Sequence, residues 1–155
     1  MLADVLGALE NLPVIAALRE SWLAYPLVNT LHIVGIALLF GAIVPLDLRL
    51  AGWLPEAGPV ERLSRLLLPV AISGFLLAAS AGLLLFATDA RAYAASPLFQ
   101  AKIVLIGAAL GNALWLRSID WRHAQPSDRR VAVAGAASVL LWLAAIVLGR
   151  LIGYF

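Results

Sequence analysis

The chain of 155 residues has no cysteine, a single methionine at its first position, two histidines and only 13% charged residues. Without cysteine, disulfides, thiolate metal sites and thiol redox chemistry are excluded, whichever compartment the loops face. With Met1 as the sole thioether, no methionine ladder for copper(I) can be built, and two histidines do not make a multi-histidine copper cage. Also missing are a Ser/His/Asp arrangement, a facing pair of carboxylates and a phosphate-binding glycine loop. Hydrolysis and nucleotide chemistry are therefore not expected.

What the chain has in abundance is apolar surface. Hydrophobic residues make up 63% of it and its mean hydropathy is +0.97, against roughly 45–50% apolar and 25% charged residues in soluble domains. This composition is that of an integral membrane protein. A hydrocarbon core about 30 Å thick needs roughly 20 apolar residues per helical crossing, so four crossings and short connections use nearly the whole chain. One membrane domain spanning residues 1–155 is expected, with no room for a soluble one. The net charge of +2 does not point to nucleic acid, because membrane proteins gather Arg at cytoplasmic headgroups for topological reasons alone. The expected partners are the lipid bilayer and either a second copy of the chain or another membrane protein.

Crossings are predicted at about residues 26–50, 63–87, 98–119 and 131–154. Between them lie "AGWLPEAGPVE", "TDARAYAASP" and "DWRHAQPSDRR", short and rich in breakers. The predicted fold is all-α, an up-and-down bundle of four transmembrane helices in which consecutive helices are antiparallel neighbours. In residues 1–24, Val5, Leu6, Leu9, Leu12, Ile15, Leu18 and Trp22 recur at helical spacing, with Pro13 breaking the run. An N-terminal interfacial helix lying along the membrane is expected, with a short helix packed on the bundle as the rival. The segment lacks the basic start and small-residue cleavage site of a signal peptide and is expected to be retained.

Cations set the orientation. Arg49, Arg62, Arg65, Arg117, Arg122, Arg129 and Arg130 flank one face, and Arg19, Arg91, Lys102 and Arg150 lie toward the other. Both termini are therefore expected outside. Trp53, Trp115 and Trp121 at one face, with Trp22, Tyr25, Tyr93 and Tyr154 at the other, read as aromatic interface belts. "GAALG" at 107–111, "GRLIG" at 149–153 and the series Gly74, Ala78, Gly82 are faces on which helices pack closely, or on which a planar ligand lies flat.

Ionisable groups inside a span carry the functional signal. His32 lies about six residues past Pro26, roughly 9 Å into the first helix, with Asn29 and Tyr25 one and two turns before it on the same face. Lys102 is about one turn into the third crossing and Arg150 about one turn from the end of the fourth, so all three fall in the outer half. Glu20 and Arg91 cap the cluster from outside. Such a set suits an outward pocket in which neutral His32 is the axial ligand of a metal, while Lys102, Arg150 or Arg91 hold carboxylates such as the propionates of haem b. Gly35 would let a macrocycle approach. A quinone with carbonyls bonded by His32 and Lys102 fits the same residues. In the plainer alternative, His32 bonds Asn29 or a carbonyl on a neighbouring helix, and the two cations snorkel to headgroups.

His123, in the loop on the opposite side, cannot share a metal with His32 within one chain, so bis-histidine ligation would need a dimer. In the inner half, Asp47 is expected to pair with Arg62 or Arg65, joining the first two helices, while Asn112 and Arg117 belong to the third.

The stretches "YPLVNTLHIVGIALLFGAIVPLDLRLAGW", "RLSRLLLPVAISGFLLAASAGLLLF" and "SPLFQAKIVLIGAALGNALW" resemble a group of uncharacterised bacterial four-helix inner-membrane proteins over about residues 20–117. More distantly, they are similar to the copper-resistance D domain and to the HemJ-type protoporphyrinogen oxidase. That likeness rests on an early-helix His with a following Gly, an "LRL" end, a "PV…G…GLLLF" second helix and an "F..K" opening the third. It implies a bacterial inner membrane. The HemJ likeness implies a haem-binding oxidase, with the helix-one histidine carried onto His32 and the helix-three lysine onto Lys102. The copper-resistance D likeness implies metal passage, making copper uptake an alternative. A non-catalytic membrane subunit packed through its glycine faces is the third reading.

Overall fold

The structure is a computed structural model describing residues 1–119, 121 and 128–154. Its helices are α1 (Leu2–Glu10), α2 (Pro13–Glu20), α3 (Ala24–Leu50), α4 (Val60–Thr88), α5 (Ala90–Ala95), α6 (Pro97–Arg117) and α7 (Arg129–Leu151), with a 3-10 turn at Pro55–Ala57. No strand occurs among the described residues. α3, α4, α6 and α7 are long and apolar enough to cross a membrane, so the molecule is an all-α polytopic membrane bundle.

Local chemistry explains the ends. Pro26 sits in the first turn of α3 rather than before it, since the N–H it lacks would have no partner there. Pro97 opens α6 in the same way, and the Ser96 hydroxyl accepts the Phe99 N–H at 3.4 Å. Pro45 and Pro69 lie inside α3 and α4 without ending them, a tolerance usual in spanning helices. Gly52 and Gly58, with φ of +80° and +86°, turn the chain between α3 and α4 through a region glycine enters without strain.

Small residues set the helix order. Gly35 and Gly74 face each other: a Cβ on Gly35 would lie 2.8 Å from the Gly74 carbonyl oxygen, and one on Gly74 would lie 2.8 Å from that of Gly35. Gly135 of α7 is pressed against the α3 backbone, with the Asp47 oxygen 2.6 Å from the place of a Cβ. In lipid, where burial adds little, such backbone-on-backbone approach gives association its van der Waals energy. α3 is consequently the centre, packed on α4 and on α7, and α6 packs on α7. α4 and α6, consecutive spans joined through α5, form no comparable interface. The expectation that all consecutive spans are neighbours is corrected here. At one end Phe86, Tyr93 and Phe99 bridge the pair, the two phenylalanines stacked at 5.2 Å, but Gly107 and Gly111 of α6 meet no other helix among the described residues to draw the pair together below.

α1 and α2 break at Pro13, as expected, and pack on the end of α4 and on α5. Ile15 and Leu18 are buried there, and Arg19 donates to the Thr88 carbonyl at 3.3 Å. The segment lies at the end of the spans and packs on the bundle.

Candidate functional site

His32 is half-buried and leans from α3 onto α4. Its Nδ1 is 2.7 Å from the Ala78 carbonyl oxygen. A carbonyl only accepts, so Nδ1 carries the proton and Nε2 keeps the lone pair. The ring fits because position 82 is glycine: a Cβ there would be 2.9 Å from Cε1 and 3.1 Å from Nδ1. The carbonyl bond of the plainer alternative is thus formed, yet it occupies one nitrogen of two.

Lys102 of α6 is half-buried, its Nζ above Gly149 of α7, 3.0 Å from where a Cβ would stand. It lies within electrostatic range of His32, so these two are drawn to one region. The other expected members go elsewhere. Arg150 is exposed and donates to the Tyr154 hydroxyl at 2.7 Å, its guanidinium 4.9 Å from that ring. Arg91 is committed to α1: its N–H donates to Glu10 Oε1 at 2.8 Å, its Nε to the Ala3 carbonyl at 3.3 Å, and its guanidinium covers Gly7. Tyr25 is exposed and electrostatically coupled to Tyr93; burial, with Tyr25 and Asp89 near, pushes the Tyr93 hydroxyl above the usual phenol range. Asn29 and Glu20 are exposed. Gly35, read as a wall for a macrocycle, meets the α4 backbone, and the flat face expected of Gly74 and Ala78 meets the α3 backbone in turn. His123 and Arg122 lie outside the described residues.

The arginine-rich half holds what the sequence reading missed. Between α4 and α6 opens a cavity of about 910 Å3 reaching α3 and α7. Asp47, Ser64 and Ser138 line it, only 2%, 1% and 5% exposed. The expected ion pair of Asp47 with Arg62 or Arg65 is absent: Arg65 pairs with Glu61 on its own helix, Arg62 is exposed, and Arg49 donates to the Gly58 carbonyl at 2.9 Å. Asp47 instead faces α7, because Gly135 brings that helix against its backbone, and Ser138 is its hydrogen-bonding neighbour. Its Oδ2 has no hydrogen-bond partner among the described residues. Asn112, also lining the cavity, donates across to the Ala134 carbonyl at 3.0 Å, fixing α6 on α7. One signal in the sequence could have found this site: Asp47 shares a helical stripe with Ile43 and Leu50, positions that face inward.

Comparison with known proteins adds no analogy to this geometry: no family model, curated protein or solved structure matches the chain.

Proposed function

We propose that this integral membrane protein serves a redox-linked role and binds haem b, or a quinone in its place, through His32. One observation carries the reading: the Ala78 carbonyl holds Nδ1–H, which leaves the lone pair on Nε2, the pattern that orients metal-ligating histidines and raises their basicity. Lys102, within electrostatic range, supplies a cation for a propionate or a donor for a quinone carbonyl. His32 offers one axial position, so a six-coordinate iron requires a second copy of the chain, and a homodimer belongs to this proposal. The resemblance to HemJ-type oxidases agrees with it. So does a bacterial inner membrane with both termini outside, a placement favoured by the seven-to-four division of cations. Copper uptake has weaker support, since among the described residues no group of three His, Cys, Asp or Glu side chains gathers to hold an ion.

The test is an absorption spectrum of protein purified in mild detergent, with organic extraction of the same sample for quinone. A Soret band that is lost in His32→Ala, or an extracted quinone lost in that variant, is the expected result. A band or a quinone content unchanged in His32→Ala would overturn the assignment of His32.

A further inference from the structure

The cavity between α4 and α6 is independent of the His32 reading. Asp47 lies 15 residues beyond His32 on α3, about 22 Å along the axis at 1.5 Å per residue. Its volume of about 910 Å3 falls within the roughly 300–1,000 Å3 of small-molecule sites, which combine an apolar lining with a few placed polar groups. That description holds here. Most of the wall is Leu, Ile, Ala, Phe and Trp, and the gap between α4 and α6 gives lateral access from the bilayer.

Two features specify the ligand. The first is Asp47, whose side chain lines the cavity and is 2% exposed, and whose Oδ2 has no donor among the described residues. Buried polar atoms are ordinarily satisfied, and one that is not, in the wall of a cavity, is poised for a donor that a ligand brings. An ammonium could supply it, but Arg65 and Arg117 line the same cavity, and only Arg65 has an acidic partner, Glu61. Asp47 and Arg117 then balance each other, so no net charge in the cavity calls for a cation, and a neutral hydroxyl supplies the donor without upsetting that balance. The second feature is an aromatic wall. Trp142, one turn from Ser138 on α7, meets Phe75 edge to face, centroids 6.1 Å apart at 67°, and both line the cavity. Such a pair receives a third ring in an offset or edge-on contact.

We propose that this cleft binds a lipid-soluble hydroquinone, which enters between α4 and α6, lays its ring along Trp142 and Phe75, and donates a hydroxyl hydrogen bond to Asp47. The matching quinone has the ring but no donor, so it binds the same walls more weakly. An aliphatic alcohol has the donor but no ring.

The test uses the whole protein in mild detergent under anaerobic conditions and follows its thermal unfolding midpoint with added decylubiquinol, decylubiquinone or 1-dodecanol. Ligand binding to the folded state raises the midpoint. The expected result is half-maximal stabilisation by decylubiquinol at a concentration at least tenfold below that needed for decylubiquinone, and none with 1-dodecanol. Asp47→Leu abolishes the tenfold preference. Ile72→Trp, at an exposed position on the cavity wall, leaves Asp47 in place and weakens both quinone forms. His32→Ala leaves the preference unchanged, which separates this site from the one proposed around His32. Equal response to the two oxidation states, a preference that survives Asp47→Leu, or stabilisation by 1-dodecanol matching decylubiquinol would each overturn the proposal, as would no response to any probe.

Discussion

A single carboxylate shows how a residue can be fixed by its neighbours rather than by its own chemistry. Asp47 stands two residues from Arg49 and within reach, on paper, of Arg62 and Arg65, yet its side chain is buried against α7 while those cations find other partners or solvent. A buried acceptor without a donor costs about 1–3 kcal/mol, and replacing such a group and its hydrogen-bonding partner together by apolar side chains of similar size is often neutral or stabilising. The double substitution Asp47→Leu with Ser138→Ala, which removes the unpaired acceptor together with its one hydrogen-bonding neighbour, is accordingly expected to raise the unfolding free energy of the detergent-solubilised protein by about 1–3 kcal/mol, read as a higher thermal midpoint. A fall of that size would mean that the native carboxylate is paired. His32 illustrates the converse: its one carbonyl bond and its seat on Gly82 select a tautomer and leave the other nitrogen available.

At the scale of helices, the same residue type plays opposite parts in different places. Gly35 and Gly74 are the seam between α3 and α4, whereas Gly107 and Gly111 on α6 have open space where a side chain would grow. The GxxxG of residues 107–111 therefore does no packing among the described residues, a difference no local pattern reveals. Gly35→Leu should drive Cβ into the Ala78 backbone and lower stability by about 1–3 kcal/mol or more. Gly107→Leu should stay within about 0.5 kcal/mol of the parent. Thermal unfolding of the two variants side by side checks the assignment, and equal losses would show that the α3–α4 seam is not where the bundle is tight. The gap between α4 and α6 goes with the same rule, since the glycines that meet another helix's backbone, Gly35, Gly74 and Gly135, join α3 to α4 and α7 to α3, while Gly107 and Gly111 of α6 meet no other helix among the described residues.

For the molecule as a whole, the absence of cysteine makes topology directly measurable. Single substitutions Ala3→Cys and Ser118→Cys fall at exposed positions at opposite ends of the bundle. A membrane-impermeant maleimide applied to intact cells is expected to label the first and spare the second, as termini outside require. Labelling of position 118 alone would invert the arrangement, moving the His32 region to the inner leaflet and the Asp47 cleft to the outer one without altering either geometry.

Composition and hydropathy by themselves determined the four spans, because each helix in lipid must satisfy its own backbone hydrogen bonds and announces itself by a long apolar run. Their ends shifted by no more than a few residues, α3 starting at Ala24 because Pro26 is accepted in a first turn. The sequence likewise singled out His32, a charge-bearing ring in apolar surroundings. Which polar groups meet was decided by tertiary structure alone. Lys102 lies within electrostatic range of His32, Arg150 and Arg91 are taken by Tyr154 and Glu10, and Asp47 lines a cleft bounded by four helices. Those outcomes depend on where glycines let two distant backbones touch, and close approach between segments far apart in the chain leaves no trace in the order of residues.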